Sequence, residues 1–255
     1  MLNGKREPQS SWANVGLWNS LDDPYDYRKA NRALARQLAE QASLQNCGTV
    51  LDLGFGMGEQ IKFWFDSYAI DFCYGFNISS EQTNFAKQKL EAYSERIHLE
   101  TGSHYKALDL DNKVDACVCL DCAYHFANFS EFVGDIRPLL TKRGRLSFHF
   151  MNVKNKSPFW LRALLKAGGI PKENYLTIEQ LEQALKRQGF DNVQSIDLSC
   201  QVIPGFREFL KWFIKSNQAR LSRSQLLRYR QTYWFLRLVA TPYITYTLWS
   251  AENPD

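Results

Sequence analysis

The chain has 255 residues, of which 45% are hydrophobic and 23% charged, enough apolar material for one generous α/β domain with a buried core. No stretch reaches the roughly 18 consecutive apolar residues of a membrane-spanning helix, and the polar N-terminus shows no apolar signal region. These features exclude disordered and membrane-spanning classes. They predict a soluble, cytoplasmic single domain over residues 1–255, with surface contact to a membrane left open.

The positive charge of the chain is concentrated in one segment. The net charge is +4, but residues 204–240 hold eight basic residues against the single acid Glu208, a local +7 that leaves about −3 elsewhere. Such asymmetry indicates one docking surface and not a protein that coats nucleic acid.

The cysteines are interpreted as packing residues. The run VDACVCLDCAYHF holds Cys117, Cys119 and Cys122 but supplies no second ligand pair at zinc-site spacing. We therefore expect no metal and no disulfide framework.

Strand and helix patterns alternate along the chain. Apolar residues spaced four apart predict a helix over 27–45. Strands are predicted at 49–56, 72–79, 97–103, 114–126, 145–153, 193–203 and 242–252, and further helices at 58–68, 79–96, 128–144 and 177–190. Thr177 is the predicted N-cap of the last of these helices, and Ser79 or Ser80 that of the helix at 79–96.

This alternation predicts an α/β fold with a seven-stranded, mostly parallel Rossmann-like sheet and helices on both faces. Residues 1–45 form an N-terminal segment and helix. Two segments interrupt the rhythm, 154–176 after the fifth strand and 204–240 after the sixth. We interpret both as a helical cap over the strand C-termini, where ligands bind in open α/β sheets.

The run VLDLGFGMGEQ carries the most chemical information. Gly54, Gly56 and Gly58 follow an apolar strand and precede a helix, where bare backbone can approach a ligand. The dinucleotide fingerprint is broken, since its third glycine position is Glu59. Asp52, just before the turn, suits a cationic ligand better than a pyrophosphate. S-adenosylmethionine, which carries an ammonium and a sulfonium group, fits this pattern.

The motifs VLDLGFGMG, YGFNISSEQ, VDACVCLDCAYHF and GRLSFHF resemble, in this order, the class I S-adenosylmethionine-dependent methyltransferases. Within them the chain is similar to the small-molecule group with the tocopherol, sterol and cyclopropane-lipid enzymes. The resemblance implies S-adenosylmethionine as cofactor. It also implies cofactor contacts from Trp18, Asp52, Gly54, Gly56, Gly58, Asn77, Ile78, Gln82, Ser103, His104 and Asp121.

The chain departs from that family's pattern at two places. Asn77 stands where many members have an acid for the ribose hydroxyls, and an amide still offers a donor and an acceptor. Ser103 and His104 follow Gly102 where many members read G-D-A, so the adenine contact is altered. Trp18 has two interpretations, closure over the cofactor or anchoring of the first helix.

The end of the fourth strand supplies the candidate catalytic groups. Methyl transfer from a sulfonium is an in-line displacement that needs alignment and, for some acceptors, a base. His125 is the first candidate base, with Tyr124 the second, whereas Asp121 is expected to orient the cofactor. A packed, purely structural His125 remains the alternative, and His149 is interpreted as structural.

The segment 205–240 combines aromatic and basic residues. It can line an apolar pocket, rest on an anionic membrane or form a solvated face with a core stripe. We predict methyl transfer to a small, apolar or lipid-like acceptor, without nucleic acid as partner, since an N-P-P-Y-type motif is absent. The alternatives are a non-methylating reaction with the same cofactor, such as cyclisation, and a non-catalytic scaffold that docks on membranes through 205–240.

Overall fold

The computed structural model describes residues 11–19 and 23–255; the parts of the predicted N-terminal segment at 1–10 and 20–22 lie outside the described residues. The strands are β1 (Thr49–Leu53), β2 (Phe72–Asn77), β3 (Ile97–Thr101), β4 (Val114–Cys119), β5 (Leu140–Val153), β6 (Asp191–Asp197) and β7 (Ile244–Glu252). They form one seven-stranded sheet in the order β3-β2-β1-β4-β5-β7-β6.

Helices surround this sheet. They are α1 (Tyr27–Gln41), α2 (Glu59–Ser67), α3 (Ser80–Lys89), α4 (Phe129–Ile136), α5 (Leu161–Ala167), α6 (Ile178–Arg187), α7 (Ser199–Asn217) and α8 (Arg223–Phe235). A π-helical turn (Leu236–Ala240) and one α-helical turn (Thr241–Tyr243) join α8 to β7. None of the described helices combines the length and the apolar composition that crossing a bilayer requires.

The predicted α/β fold is confirmed. Strands β1 to β5 pair in parallel, and β7 runs antiparallel between β5 and β6. The chain moves outward from β1 through β2 to β3 and then returns to place β4 on the other side of β1. This reversal opens a crevice at the carboxyl ends of β1 and β4, where open α/β sheets bind ligands.

The helix N-caps follow the sequence pattern. The Thr177 hydroxyl accepts the N–H of Gln180, whose side chain returns the bond in a capping box. The Ser79 hydroxyl accepts the N–H of Gln82 and starts α3.

Several predicted elements are too long. The strand predicted at 114–126 ends at Cys119, and the helix predicted at 79–96 ends at Lys89. The predicted strand at 193–203 ends at Asp197, and residues 199–203 begin α7 instead. Leu198, Val202 and Phe206 are spaced four apart and buried, so this stretch satisfies the helical period as well as the alternating one. The predicted helix at 128–144 ends at Ile136, and β5 already begins at Leu140.

His149 is an unusual component of the core. It lies on β5, fully buried and stacked at 5.5 Å between ring centroids on Tyr246. Neither ring nitrogen has a hydrogen-bond partner among the described residues. Burial lowers the pKa of the His149 imidazole to about 3, so the ring is held neutral, in keeping with the structural interpretation.

Replacing His149 by leucine is expected to remove an acid sensitivity of the fold. Below the ordinary imidazole pKa of 6.5, the unfolded chain binds a proton on His149 that the folded chain excludes. The free energy of unfolding therefore decreases as the pH is lowered. At pH 5 this loss amounts to about 2 kcal/mol. Urea unfolding of both proteins at pH 7.5 and 5 measures it.

The buried Asp52 titrates in the opposite sense. Its raised pKa gives stability that is lost as pH rises toward 7, but this contribution is common to both proteins and cancels in their difference. An equal pH dependence of the native chain and His149→Leu would contradict the prediction.

Candidate active site

Three glycines shape the turn between β1 and α2. Gly54, Gly56 and Gly58 have φ angles of 75°, 57° and 80°, a left-handed region that side chains rarely adopt. A Cβ on Gly54 would lie 2.8 Å from the Cys122 sulfur, whereas one on Gly56 would meet no atom within 4 Å. Gly54 is therefore packed against Cys122, whereas Gly56 faces open space.

The turn forms one wall of a cavity of about 520 Å³ at the carboxyl ends of β1, β2 and β4. This volume suits a cofactor-sized ligand. The predicted site residues that line it are Gly54, Gly56, Asn77, Ile78, Gln82, Ser103, His104, Asp121 and His125. Four predicted residues are not part of its wall: Trp18, Asp52, Gly58 and Tyr124.

Asp52 lies beneath the turn and not at its surface. Its carboxylate is fully buried and accepts hydrogen bonds from the Gln60 amide and the Trp64 indole, both at 2.7 Å. Burial raises the pKa of Asp52 to about 7, although these two bonds lower it in part. Asp52 thus positions Gln60, which lines the cavity, and its direct contact with the cofactor stays a prediction.

Asn77 and Gln82 form a polar pair at the end of β2. The Asn77 amide donates to the Gln82 side-chain oxygen at 3.1 Å. That bond uses the Asn77 amide nitrogen and the Gln82 side-chain oxygen. The Asn77 side-chain oxygen remains as an acceptor and the Gln82 amide nitrogen as a donor for other partners. Such a pair suits two neighbouring hydroxyls, which supports the ribose site expected at Asn77.

The residues after β3 have different orientations. Ser103 lines the cavity, whereas the His104 ring, also at its wall, has Nε2 3.3 Å from Asp135 and packs on Tyr105 and Phe126. Burial lowers the pKa of His104 despite this carboxylate. His104 therefore offers a ring face to a planar ligand more than a hydrogen bond.

Asp121 holds the floor of the cavity together. Its φ of 57° lies in the left-handed region, which is uncommon for a residue with a side chain. The carboxylate accepts the hydroxyls of Tyr124 at 2.7 Å and Tyr246 at 2.8 Å and the Val15 N–H at 3.0 Å. Burial raises the pKa of Asp121, and these three bonds partly oppose the rise. Hydrogen bonds from three parts of the chain to this one carboxylate hold the Asp121 backbone in its uncommon conformation.

This arrangement argues against Tyr124 as a proton-transfer group. Its hydroxyl is bound to Asp121, and burial together with that carboxylate raises the pKa of Tyr124 well above its ordinary value. Tyr124 is a positioning residue for Asp121.

His125 has the geometry of a base. Its Nδ1 lies 3.0 Å from the carbonyl oxygen of Gly169, and a carbonyl accepts only from a protonated nitrogen. Nδ1 therefore carries the proton, which leaves the lone pair on Nε2. The side chain is exposed and lines the cavity. His125 therefore stays a candidate base at the wall of the cavity.

An N-terminal strap, residues 11–18, crosses the cavity, and of these residues the sequence analysis named only Trp18 as a cofactor contact. Ser11 binds Glu59 through its N–H at 2.6 Å and its hydroxyl at 3.0 Å. In the middle, the Asn14 amide donates to the carbonyl of Leu120 and the Val15 N–H to Asp121. Ser11, Trp12 and Asn14 line the cavity with Glu59 and Gln60. The strap has no periodic pattern, so only the contacts reveal it.

Trp18 ends the strap and anchors it to α1 and α7. Its indole donates to the Val15 carbonyl at 2.7 Å and stacks on Phe209 at 5.1 Å. Its N–H donates to the Gln201 carbonyl at 3.0 Å. Trp18 also lies 6.3 Å from the Tyr27 ring of α1, so its contacts agree with the anchoring interpretation, although the hydrogen bond from its N–H goes to α7 and not to the first helix. Among the described residues, none of the segment 204–240 lines this cavity. The segment instead packs against the strap, which does line it.

Lys89 secures the other end of the strap. Its ammonium lies 2.5 Å from Glu59 and 2.8 Å from the Ser11 hydroxyl. Burial alone would raise the pKa of Glu59, but Lys89 and Ser11 lower it below its ordinary value. The carboxylate therefore stays charged and holds the strap.

Replacing Lys89 by methionine is expected to weaken cofactor binding about fivefold, because a partly exposed ion pair is worth roughly 1 kcal/mol. The matched control is Lys87→Met on the same helix, an exposed lysine outside the strap. Calorimetric titration with S-adenosylhomocysteine measures both. Equal affinities of the two variants would contradict the conclusion that Lys89 holds the strap in place.

Comparisons with known proteins identify the family of the chain. Residues 20–198 match the family described as mycolic acid cyclopropane synthetase. Over 241 residues, 86% of this chain and 76% of the relative, the chain is 25% identical to erythromycin 3''-O-methyltransferase of Saccharopolyspora erythraea.

Solved structures share the fold. The cyclopropane synthase MmaA2 from Mycobacterium tuberculosis superposes with a TM-score of 0.77 at 18% identity, covering 94% of this chain and 90% of that one. The [4+2]-cyclase SpnF superposes with a TM-score of 0.73 at 19% identity, covering 95% and 87%.

The fold and the glycine-walled cavity define an S-adenosylmethionine-dependent methyltransferase of the small-molecule class. The chain belongs to the mycolic acid cyclopropane synthetase family. S-adenosylmethionine is its cofactor, and the open face of the turn at Gly56 fits it, since a Cβ there would enter the cavity.

Proposed function

We propose that the chain transfers the methyl group of S-adenosylmethionine to a hydroxyl of a small, apolar, lipid-like acceptor, with His125 as the base. The observation that carries the proposal is the position of the His125 ring, which lines the cofactor cavity and has Nδ1 3.0 Å from the Gly169 carbonyl oxygen. The name of the erythromycin relative, which states transfer to an oxygen, supports an oxygen acceptor.

The cofactor supplies a methyl group on a sulfonium, whose carbon–sulfur bond breaks as the carbon–oxygen bond forms. Gly54 and Gly56 would give the backbone wall for the cofactor, Asn77 and Gln82 would hold its ribose hydroxyls, and Asp121 would hold its methionine end. His125 Nε2 accepts the proton that the hydroxyl loses. The strap excludes water from the cavity, which favours alignment of the acceptor.

Apolar surroundings support a lipid-like acceptor. His125 is flanked at the cavity wall by Phe126 and Ala127, and its ring packs on Tyr124 at 4.5 Å. Gly169, its partner, follows α5, which carries exposed apolar residues. An acceptor that approaches from this side meets mainly hydrocarbon and aromatic surface.

Product analysis tests the proposal. The protein is incubated with S-adenosylmethionine bearing an isotopic methyl group and a matched panel of long-chain alcohols, amines and thiols, followed by mass spectrometry. Methyl ethers formed with an equal amount of S-adenosylhomocysteine support it. Labelled amines or thioethers without methyl ethers would contradict the hydroxyl acceptor. A changed acceptor without S-adenosylhomocysteine would instead favour the non-methylating alternative, a reaction type that the name of SpnF shows on this fold.

A further inference from the structure

Exposed apolar side chains are concentrated on two separate segments. Residues 154–172 contain α5, and residues 220–243 contain α8 and the turns that follow it. Six of the ten large hydrophobic side chains exposed in the described residues lie there: Phe159, Trp160, Leu164, Leu227, Trp234 and Leu238. Phe159 is 87% exposed. Helix α8 buries none of its residues, so it does not act as a core helix.

The two segments meet where residues 154–160 contact residues 241–243. The Trp160 ring packs edge-on against Tyr243 at 5.4 Å. The Lys154 N–H donates to the Tyr243 carbonyl at 2.9 Å, and the Lys154 ammonium to the Thr241 carbonyl at 3.0 Å. Trp160 therefore lies beside Tyr243, which follows the π-helical turn that carries Leu238. We call this area the basic–aromatic surface.

The charge of this surface has one sign. Residues 154–172 hold five basic residues and no acid, and residues 220–243 hold five more, again with no acid. Arg237 lies 5.5 Å over the Trp234 ring and donates to the Tyr233 hydroxyl at 3.1 Å, so cations and aromatic rings are interleaved. Aromatic side chains surrounded by lysine and arginine are typical of segments that lie at the interface of an anionic bilayer.

We propose that the basic–aromatic surface docks the protein on an anionic lipid membrane, with Phe159 and Trp234 inserted among the acyl chains and the basic residues at the headgroups. A bilayer accepts protruding side chains without a complementary pocket, whereas a protein partner would have to provide one for Phe159. Protein interfaces are also depleted in lysine, and this surface contains Lys154, Lys156 and Lys166.

The surface adjoins the active site. Gly169, which binds His125, comes directly after α5. Docking would therefore hold the His125 side of the cavity close to the lipid. The inference itself does not depend on the acceptor proposed above, because it rests on exposure and charge alone.

Cosedimentation with sucrose-loaded vesicles tests the inference, with neither cofactor nor acceptor present. Vesicles of phosphatidylcholine are compared with vesicles that also contain phosphatidylglycerol. We expect binding to the anionic vesicles only. The variant Lys156→Gln/Arg230→Gln should reduce the partition coefficient about fivefold per charge removed. The variant Phe159→Ser/Trp234→Ser should reduce it more than about tenfold.

Matched controls come from other surfaces of the chain. Lys87→Gln on α3 and Leu108→Ser after β3 remove exposed residues of the same types and should leave vesicle binding unchanged. Each variant should titrate S-adenosylhomocysteine like the native chain, which shows that it is folded. Failure to bind anionic vesicles, equal binding to neutral ones, or binding that survives both double substitutions would overturn the proposal.

Discussion

Replacing Gly205 by alanine is expected to unseat the strap and weaken cofactor binding. A Cβ at Gly205 would lie 2.1 Å from the Trp18 Cβ and 2.3 Å from its Cγ, far closer than atoms can approach. Neither atom is at the end of a flexible chain, so Trp18 must move. We expect the free energy of unfolding to fall by about 2 kcal/mol or more. Cofactor affinity should fall by at least about tenfold, because only a minor fraction of the molecules would keep the strap over the cavity in the conformation that binds the cofactor.

The sign of the stability change makes this test informative. In a helix without such a contact, glycine to alanine stabilises by about 1 kcal/mol. Gly134→Ala in α4 is the matched control, because its Cβ would meet only the flexible end of Gln188. If Gly205→Ala behaves like this control, Trp18 does not pack on α7. Adding Trp18→Gly to Gly205→Ala removes the clashing Cβ, and the double-mutant cycle should show a coupling of the two sites.

Replacing His125 by asparagine is expected to lower kcat by about 10²- to 10⁴-fold, the usual contribution of a general base. The asparagine amide can still donate to Gly169, so the local structure is retained while the Nε2 lone pair is lost. Cofactor affinity should remain close to that of the native chain. Steady-state kinetics with an acceptor found in the product screen, across a range of pH, provides the measurement.

His98→Asn is the control for that experiment. His98 lies on β3, about half exposed, and faces Glu100 outside the cavity. It should leave kcat and its pH dependence unchanged. If His125→Asn also retains the native kcat, the packed, structural interpretation of His125 would be correct and another group must take the proton.

The sequence was most predictive where local pattern and tertiary packing agree. Gly54, Gly56, Asn77 and His125 lie at or shortly after the end of a strand, so the parallel sheet places them at its carboxyl edge. All four line the cavity. Thr177 and its capping box are equally local and equally well predicted.

Prediction failed where contacts between distant residues decide the structure. Ser11 is bound by Glu59, 48 positions away, and Val15 by Asp121, 106 positions away, and no local pattern marks either bond. Asp52 sits in the right motif, but its oxygens are satisfied by Gln60 and Trp64 on α2. The sequence shows an acid near the turn and not the direction in which it points.

The segment at 193–203 failed for another reason. Its apolar residues fit both the strand and the helix period, and Pro204 suggests a break. In the structure Pro204 lies inside α7. Its missing N–H leaves the Cys200 carbonyl without a helical donor, and the next carbonyl, that of Gln201, accepts the Trp18 N–H. The helix continues past Pro204 with the strap packed beside it, which the sequence alone does not reveal.

Calorimetric titration with S-adenosylmethionine and S-adenosylhomocysteine, on the native chain and on Gly56→Val, tests the central claim most directly. Valine at Gly56 would project into open cavity space, at a backbone cost of about 1–3 kcal/mol that the fold can tolerate. We predict native dissociation constants on the order of micromolar and no measurable binding by a Gly56→Val protein with native circular dichroism. Undiminished binding by that variant, or none by the folded native chain, would contradict the assignment of this cavity to the cofactor.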